Sequence, residues 1–250
     1  MLRLCRRSRA ESMNTKGYIF DFGGTLDTAG VHWGKAVWHA YERHGVNVGE
    51  AAFREAYVQV ERRLGREDII RPDFTFFQTL DVKLTLQFDY LKEKKYLCTR
   101  NAEISPRALV EDLYQRVAAN VRHSADVLAE LGKKATLALV SNFYGNLETV
   151  LHEFALAPLF QSVTESAQVG LRKPDSRIFS LALEALAMEA CEVAVVGDSL
   201  KNDIRPAHEL GCTTIWLKGE GWNDDETAEG QADRVISDLA ELLSCNISPK

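Results

Sequence analysis

No run of apolar residues in this sequence approaches the ~20 needed to cross a bilayer, so no transmembrane helix is expected. A basic excess is also lacking. Thirty Lys plus Arg stand against 36 Asp plus Glu, a net charge of −6. The chain therefore has no sequence-wide positive field with which to release counterions from nucleic acid or hold an anionic membrane, and neither partner is expected. Cysteine is sparse: Cys5, Cys98, Cys191, Cys212 and Cys245 are odd in number and scattered, with neither a CxxC pair nor a metal-ligand spacing. They read as reduced packing thiols in a cytoplasmic protein. What is present, 46% hydrophobic and 26% charged residues over 250 positions, is the balance of a globular chain of one or two domains, which excludes wholesale disorder and collagen-like structure.

The opening MLRLCRRSRAES carries four arginines but no apolar core, so it is no secretory signal. Residues 1–15 read as a disordered basic extension, with Met13, just before the first strand-like run, as the expected start.

Short apolar runs at Tyr18–Phe20, Ala135–Val140, Val193–Val196, Thr213–Leu217 and Arg234–Ile236 predict buried strands. Amphipathic segments at Asn146–Phe154, Ser176–Met188 and Lys201–Leu210 have lengths suited to right-handed crossovers. That alternation predicts an α/β domain with a parallel sheet. From about Val31 to about Ala125 it is interrupted by a stretch that reads as several helices. Phe77, Leu80, Leu84, Phe88 and Leu91 there mark one apolar helix face, the core of a helical bundle.

Four places fall at carboxyl ends of predicted strands, where open α/β sheets bind ligands. Asp21 closes the first strand and is followed by Phe22, Gly23, Gly24 and Thr25, putting a carboxylate at the sheet edge beside backbone that can approach a ligand closely; an ordinary turn reads equally well. Ser141 and Asn142 end the second run and would serve equally as helix N-caps. Lys173 precedes Pro174 at a helix start and taken alone is a solvated lysine. In Gly197-Asp198-Ser199-Leu200-Lys201-Asn202-Asp203 two carboxylates five residues apart can serve one hard cation, or can be acids favoured by a helix dipole.

In order, Asp21, Ser141, Lys173 and Asp198 with Asp203, together with the strings VSN, KPD and GDSLKND, resemble the haloacid dehalogenase superfamily of phosphohydrolases. The resemblance runs from about Lys16 to about Leu243 and places the helical insertion where that family carries a cap of the first type. It implies a Rossmann-like parallel sheet core at 16–30 and 126–250, an all-helical cap at 31–125, and cap movement about residues near Thr28 and Ser124. It further implies Asp21 as nucleophile, with an aspartyl-phosphate intermediate, and Mg²⁺ held by Asp21, the Gly23 carbonyl, Asp198 and Asp203. Ser141 and the Asn142 amide would hold phosphate oxygens, Lys173 would steady Asp21 and the developing charge, and Gly24, Thr25 and His32 would complete the substrate site. A small phosphorylated substrate is expected, bound by a monomer or homodimer.

One residue departs from the family pattern. Family phosphatases carry a second Asp two residues after the nucleophile as general acid and base; this chain has Gly23. A backbone carbonyl survives the change, whereas acid–base help worth roughly 10² to 10⁴ in rate is lost. The enzyme then acts on a good leaving group, or recruits another acid, for which His32 is the candidate. Alternatively it runs dehalogenation or phosphonate cleavage, or binds phosphate compounds without turnover. The family's dehalogenases work without metal, at odds with the Asp198/Asp203 pair. Phosphonate cleavage wants a cap lysine, and nothing in sequence distinguishes Lys35, Lys83, Lys92, Lys94 and Lys95.

Overall fold

A computed structural model describes residues 15–97, 105–222 and 232–244; the basic extension through residue 14, Met13, Cys5, Cys98 and Cys245 lie outside them. Six strands, β1 (Gly17–Phe20), β2 (Thr136–Ser141), β3 (Ser162–Glu165), β4 (Val193–Gly197), β5 (Thr213–Leu217) and β6 (Arg234–Ile236), form one parallel sheet in the order β3-β2-β1-β4-β5-β6. The central strands are buried on both faces, as helices packed above and below a parallel sheet require. Along β1, Tyr18 and Phe20 point into one core, while Ile19 points into the other with Ile178, Phe179 and Ala182.

The chain leaves β1 toward β2 on one side and returns to β4 on the other. The crevice at that switch point, outside the carboxyl ends of β1 and β4, is where such sheets place ligands. β3 escapes the sequence reading because its four residues, Ser-Val-Thr-Glu, present no apolar run, and Val163 at this sheet edge is 39% exposed.

Among the described residues between β1 and β2 lie four helices, α1 (Trp33–Arg43), α2 (Glu50–Leu64), α3 (Phe76–Glu93) and α4 (Pro106–Leu131). α3 starts at a Thr75/Gln78 capping box. Its stripe of Leu80, Leu84, Phe88 and Leu91 is fully buried, whereas Phe77 is only partly covered and meets Tyr114 of α4 edge-on at 5.3 Å.

The 26 residues of α4 span roughly 39 Å at 1.5 Å per residue. It runs unbroken through residues 125 and 126, so the border drawn there between cap and core falls inside a helix. α4 is also tied to the loop after β1: Ser124 Oγ donates to the Leu26 carbonyl at 2.8 Å and Asn120 Nδ2 to the Asp27 carbonyl at 3.0 Å. The short α5 (Leu147–Glu153) lies between β2 and β3, and beyond β3 α6 (Ser166–Val169) and α7 (Arg177–Leu186) flank the turn that carries Lys173. After β4 the chain makes a π-type turn, Leu200–Ile204, that runs directly into α8 (Arg205–Leu210).

A loop after β5 brings Trp222 into the seam between sheet and cap. There Arg54 lies over its ring at 4.3 Å, and His32 and Tyr57 pack on it at 4.9 and 5.2 Å.

Ser124→Ala leaves the buried Leu26 carbonyl without its side-chain donor, and a loss of about 1–3 kcal/mol in stability is expected, read as a lower midpoint in urea unfolding.

Candidate active site

Asp21 is the first residue beyond β1, and its amide still donates to the Val196 carbonyl of β4 at 3.0 Å. The ladder that holds the sheet together thus fixes the backbone that presents this carboxylate. Four residues on, the Thr25 hydroxyl stands between carboxylates, 3.4 Å from Asp21 Oδ2 and 3.1 Å from Asp198 Oδ1, and accepts from the Asp198 amide at 3.0 Å.

Lys173 reaches the same point from the turn before α7. Its Nζ donates to Asp21 Oδ1 at 2.5 Å, Asp203 Oδ1 at 2.7 Å and the Val140 carbonyl at 3.1 Å, which uses all three ammonium hydrogens. Burial opposes its charge, but Asp203 and Asp21 outweigh that and shift its ionisation upward, so it stays cationic. The Asn142 side chain grips the backbone beneath it, accepting from the Lys173 amide at 2.9 Å and donating to the Lys173 carbonyl at 3.0 Å.

Asp21, Asp198 and Asp203 each offer an oxygen within 4.8 Å of the others. Burial raises Asp21 to about 6 against the pull of Lys173, and burial together with Asp21 holds Asp198 well above the usual carboxylate range. Close packing is built into the glycines. A Cβ on Gly24, at φ +100°, would stand 2.4 Å from Asp198 Oδ1, and one on Gly197 would stand 2.5 Å from the Asp203 side chain. Three carboxylates against one ammonium leave two negative charges in a buried cluster, and hard oxygen donors in that number suit a divalent cation.

These groups open into a cavity of about 280 Å³ roofed by the cap. Asp21, Gly23, Ser141, Asn142, Lys173, Asp198 and Asp203 line its floor, and His32 lines its wall. Gly24 and Thr25 differ from expectation. Neither faces the cavity, because Gly24 packs on the Asp198 carboxylate and the Thr25 hydroxyl is engaged by Asp21 and Asp198.

His32 caps α1, its Nδ1 accepting from the Gly34 amide at 3.0 Å. Burial, then the Lys83 cation, pushes its ionisation down to about 4. A neutral imidazole with one nitrogen already accepting is a weak proton donor, which counts against His32 as the substituted acid.

Several contributors are not visible in sequence. Asp27 is fully buried, and its carboxylate accepts from the Gly24 amide at 2.7 Å and the Trp33 indole at 2.9 Å, locking the glycine loop to the start of the cap. Burial raises it to about 7. Glu165, at the end of β3, accepts from the Gly145 amide at 2.5 Å and shapes the loop that carries Ser141 and Asn142.

Among the five cap lysines Lys83 is set apart. It is buried, lines the cavity, pairs with Glu61 and lies 5.3 Å from the Trp33 ring and 5.2 Å from the Tyr57 ring. Glu61 in turn accepts from Tyr144 Oη at 2.8 Å, joining cap to sheet. Only helical spacing toward the floor could have flagged Lys83, and spacing within α3 does not say where the helix sits.

The family model of the haloacid dehalogenase-like hydrolases matches residues 15–211. Curated relatives include glyceraldehyde 3-phosphate phosphatase of Methanocaldococcus jannaschii, 34% identical over 37% of this chain and 40% of its own length. Phosphoserine phosphatase of Thermus thermophilus is 34% identical over 46% and 47%, and phosphoglycolate phosphatase of Vibrio vulnificus 31% over 55% and 62%. The chain thus spans less than half the length of the first curated relatives it matches. Among solved structures, a dehalogenase superposes with a TM-score of 0.58 at 20% identity, covering 92% of this chain and 96% of its own. A phosphatase from Thermococcus onnurineus superposes with 0.50 at 22% over the same shares. At those identities the likeness is one of fold.

The low ionisation of His32 carries a sign. Its folded value of about 4 lies below the ~6.5 of an unfolded histidine. The unfolded chain therefore binds the extra proton between those values, and stability present above pH 6.5 is lost as pH falls toward 4. His32→Asn keeps a capping side chain and removes the titration. Its urea midpoint is expected to fall less than that of the wild type between pH 7 and 4.5.

Proposed function

Given that the chain belongs to the haloacid dehalogenase-like hydrolases, we propose that it hydrolyses small phosphomonoesters, with Asp21 as nucleophile and Mg²⁺ as cofactor. The observation that carries this reading is the meeting of Asp21, Asp198, Asp203 and Lys173 on the floor of one cavity. Asp21, Asp198, Asp203 and the Gly23 carbonyl are the groups for the cation, which when bound offsets carboxylate charge and draws electron density from a phosphate oxygen.

The chain's own residues supply the rest. Lys173 holds the Asp21 carboxylate through Oδ1 and so fixes the nucleophile in place. Ser141 and the Asn142 amide receive phosphate oxygens, with the Asn142 side chain serving to hold the Lys173 backbone. Attack by Asp21 on phosphorus gives an aspartyl-phosphate, and water then releases inorganic phosphate and restores the carboxylate. Gly24 and Thr25 act from behind, spacing Asp198 against Asp21.

Phosphonate cleavage through an imine on Lys83 fits less well. Burial works against the charge on Lys83, but pairing with Glu61 outweighs it and shifts its ionisation upward, so the group is an ammonium and not a free amine.

Gly23 favours one second reading, in which phosphate compounds are held without turnover. The decisive assay follows hydrolysis of p-nitrophenyl phosphate and a panel including glyceraldehyde 3-phosphate, phosphoserine and phosphoglycolate, with Mg²⁺ and with EDTA. Mg²⁺-dependent turnover that falls at least 10³-fold in Asp21→Asn is expected. Saturable phosphate binding with no turnover by the wild type is the result of the second reading.

A further inference from the structure

The cavity described above has an acidic floor, while six aromatic rings stand on its walls beside Glu61, Lys83, Ser199, Lys201 and Asn202. His32, Trp33, Tyr57 and Phe76 face it from the cap side, and Phe143 and Tyr144 from the loop after β2. The rings touch in series, Trp33 on Phe76 at 5.8 Å, His32 on Tyr57 at 6.2 Å and Phe143 on Tyr144 at 5.1 Å. Such rings offer π-faces against which a flat unsaturated substrate can stack.

The second, independent observation concerns protons. A phosphoryl group leaving an alkoxide needs an acid at the departing oxygen, and the groups that face this cavity from the cap and from the loop after β2 are otherwise engaged. Gly23 has no side chain. Asp27 is walled off, both its oxygens accepting N–H bonds. Glu61 accepts from Tyr144 and pairs with Lys83, and His32 is a neutral cap. Tyr57 and Tyr144 are buried, which pushes their hydroxyls well above the usual phenol range. The Lys83 ammonium is already paired with Glu61.

We propose that the natural substrate is a small aryl or enolic phosphate, whose leaving oxygen departs as a stabilised anion and needs no acid. This rests on the phosphohydrolase reading of the same site. In the first step the bond from the Asp21 carboxylate to phosphorus forms as the bond from phosphorus to the leaving oxygen breaks, and that oxygen keeps the electron pair. The ring or enol delocalises the charge between the aromatic walls, with the Lys83 ammonium nearby. In the second step water attacks phosphorus and the aspartyl oxygen leaves. The proton that water gives up balances the one the departed oxyanion takes from solvent. A cavity of about 280 Å³ is at the small end for ligand sites, enough for phosphate and one small ring.

The test is kcat/KM, which reports the first transfer, across 4-nitrophenyl, phenyl and 4-methoxyphenyl phosphate, phosphoenolpyruvate, glycerol phosphate and glucose 6-phosphate. For the wild type, rates are expected to fall steeply with leaving-group basicity, with aryl and enol esters at least 10³-fold ahead of alkyl esters. Gly23→Asp, whose Cβ meets only the Trp33 ring at 3.8 Å, is expected to raise the alkyl esters by 10²–10⁴ and the aryl esters far less.

The wild-type series decides by itself. Alkyl esters cleaved within tenfold of aryl esters, with turnover still lost in Asp21→Asn, overturn the leaving-group proposal and leave the phosphohydrolase reading standing. No Asp21-dependent cleavage of any ester removes both.

Discussion

One buried ammonium organises this molecule. Lys173 Nζ sits among Asp21, Asp203 and the Val140 carbonyl, and so joins the ends of β1 and β2 to the turn before α8 through a single atom. A charge taken out of water is tolerated only where its partners are close and complete, and here all three hydrogens have an acceptor. The surrounding architecture can be understood as what that condition demands. A parallel sheet delivers two strand ends side by side, Asn142 holds the lysine backbone on both sides, and Gly197 leaves room for Asp203 against the sheet. The uncompensated charge that remains on the carboxylates is what gives the site its appetite for a cation.

Much of this was legible in the sequence, for identifiable reasons. Five of the six strands are apolar runs, and period and length suffice to find those. Asp21, Ser141 and Asp198 could be placed together because each ends or directly follows such a run, whereas Lys173, in a turn beyond the missed β3, was found by the KPD string. β3 was missed because four residues of mixed polarity carry no periodic signal and an edge strand need bury only part of itself. Gly24 and Thr25 lie behind the cavity floor and not on its surface. Whether a loop residue faces ligand or supports a carboxylate depends on side-chain direction, which spacing does not encode. His32 has the chemistry of an acid, but its place at a helix start and its burial take that chemistry away.

The cap was the least legible part. Helical periodicity finds a buried face but not the orientation of one helix over another domain, so Lys83 looked like four other cap lysines until α3 was seen to lie across the cavity. The border between the two parts was hidden for a related reason. α4 keeps one continuous apolar stripe from Leu109 to Leu131, and nothing along it marks the point where its neighbours change from cap helices to sheet. Asp27 belongs to the same class of surprise: an acid in a loop reads as solvated until its two N–H donors are seen.

Trp222 carries a consequence of a different kind. Its indole lies in the seam where cap meets sheet, under the Arg54 guanidinium and beside His32 and Tyr57, and it fills the space that a side chain on Gly34 would need. A fluorophore so placed senses the packing of that seam, and in a variant that keeps Trp222 while replacing Trp33, Trp38 and Trp216, emission colour and quenching would report any change in how cap meets sheet without an added label.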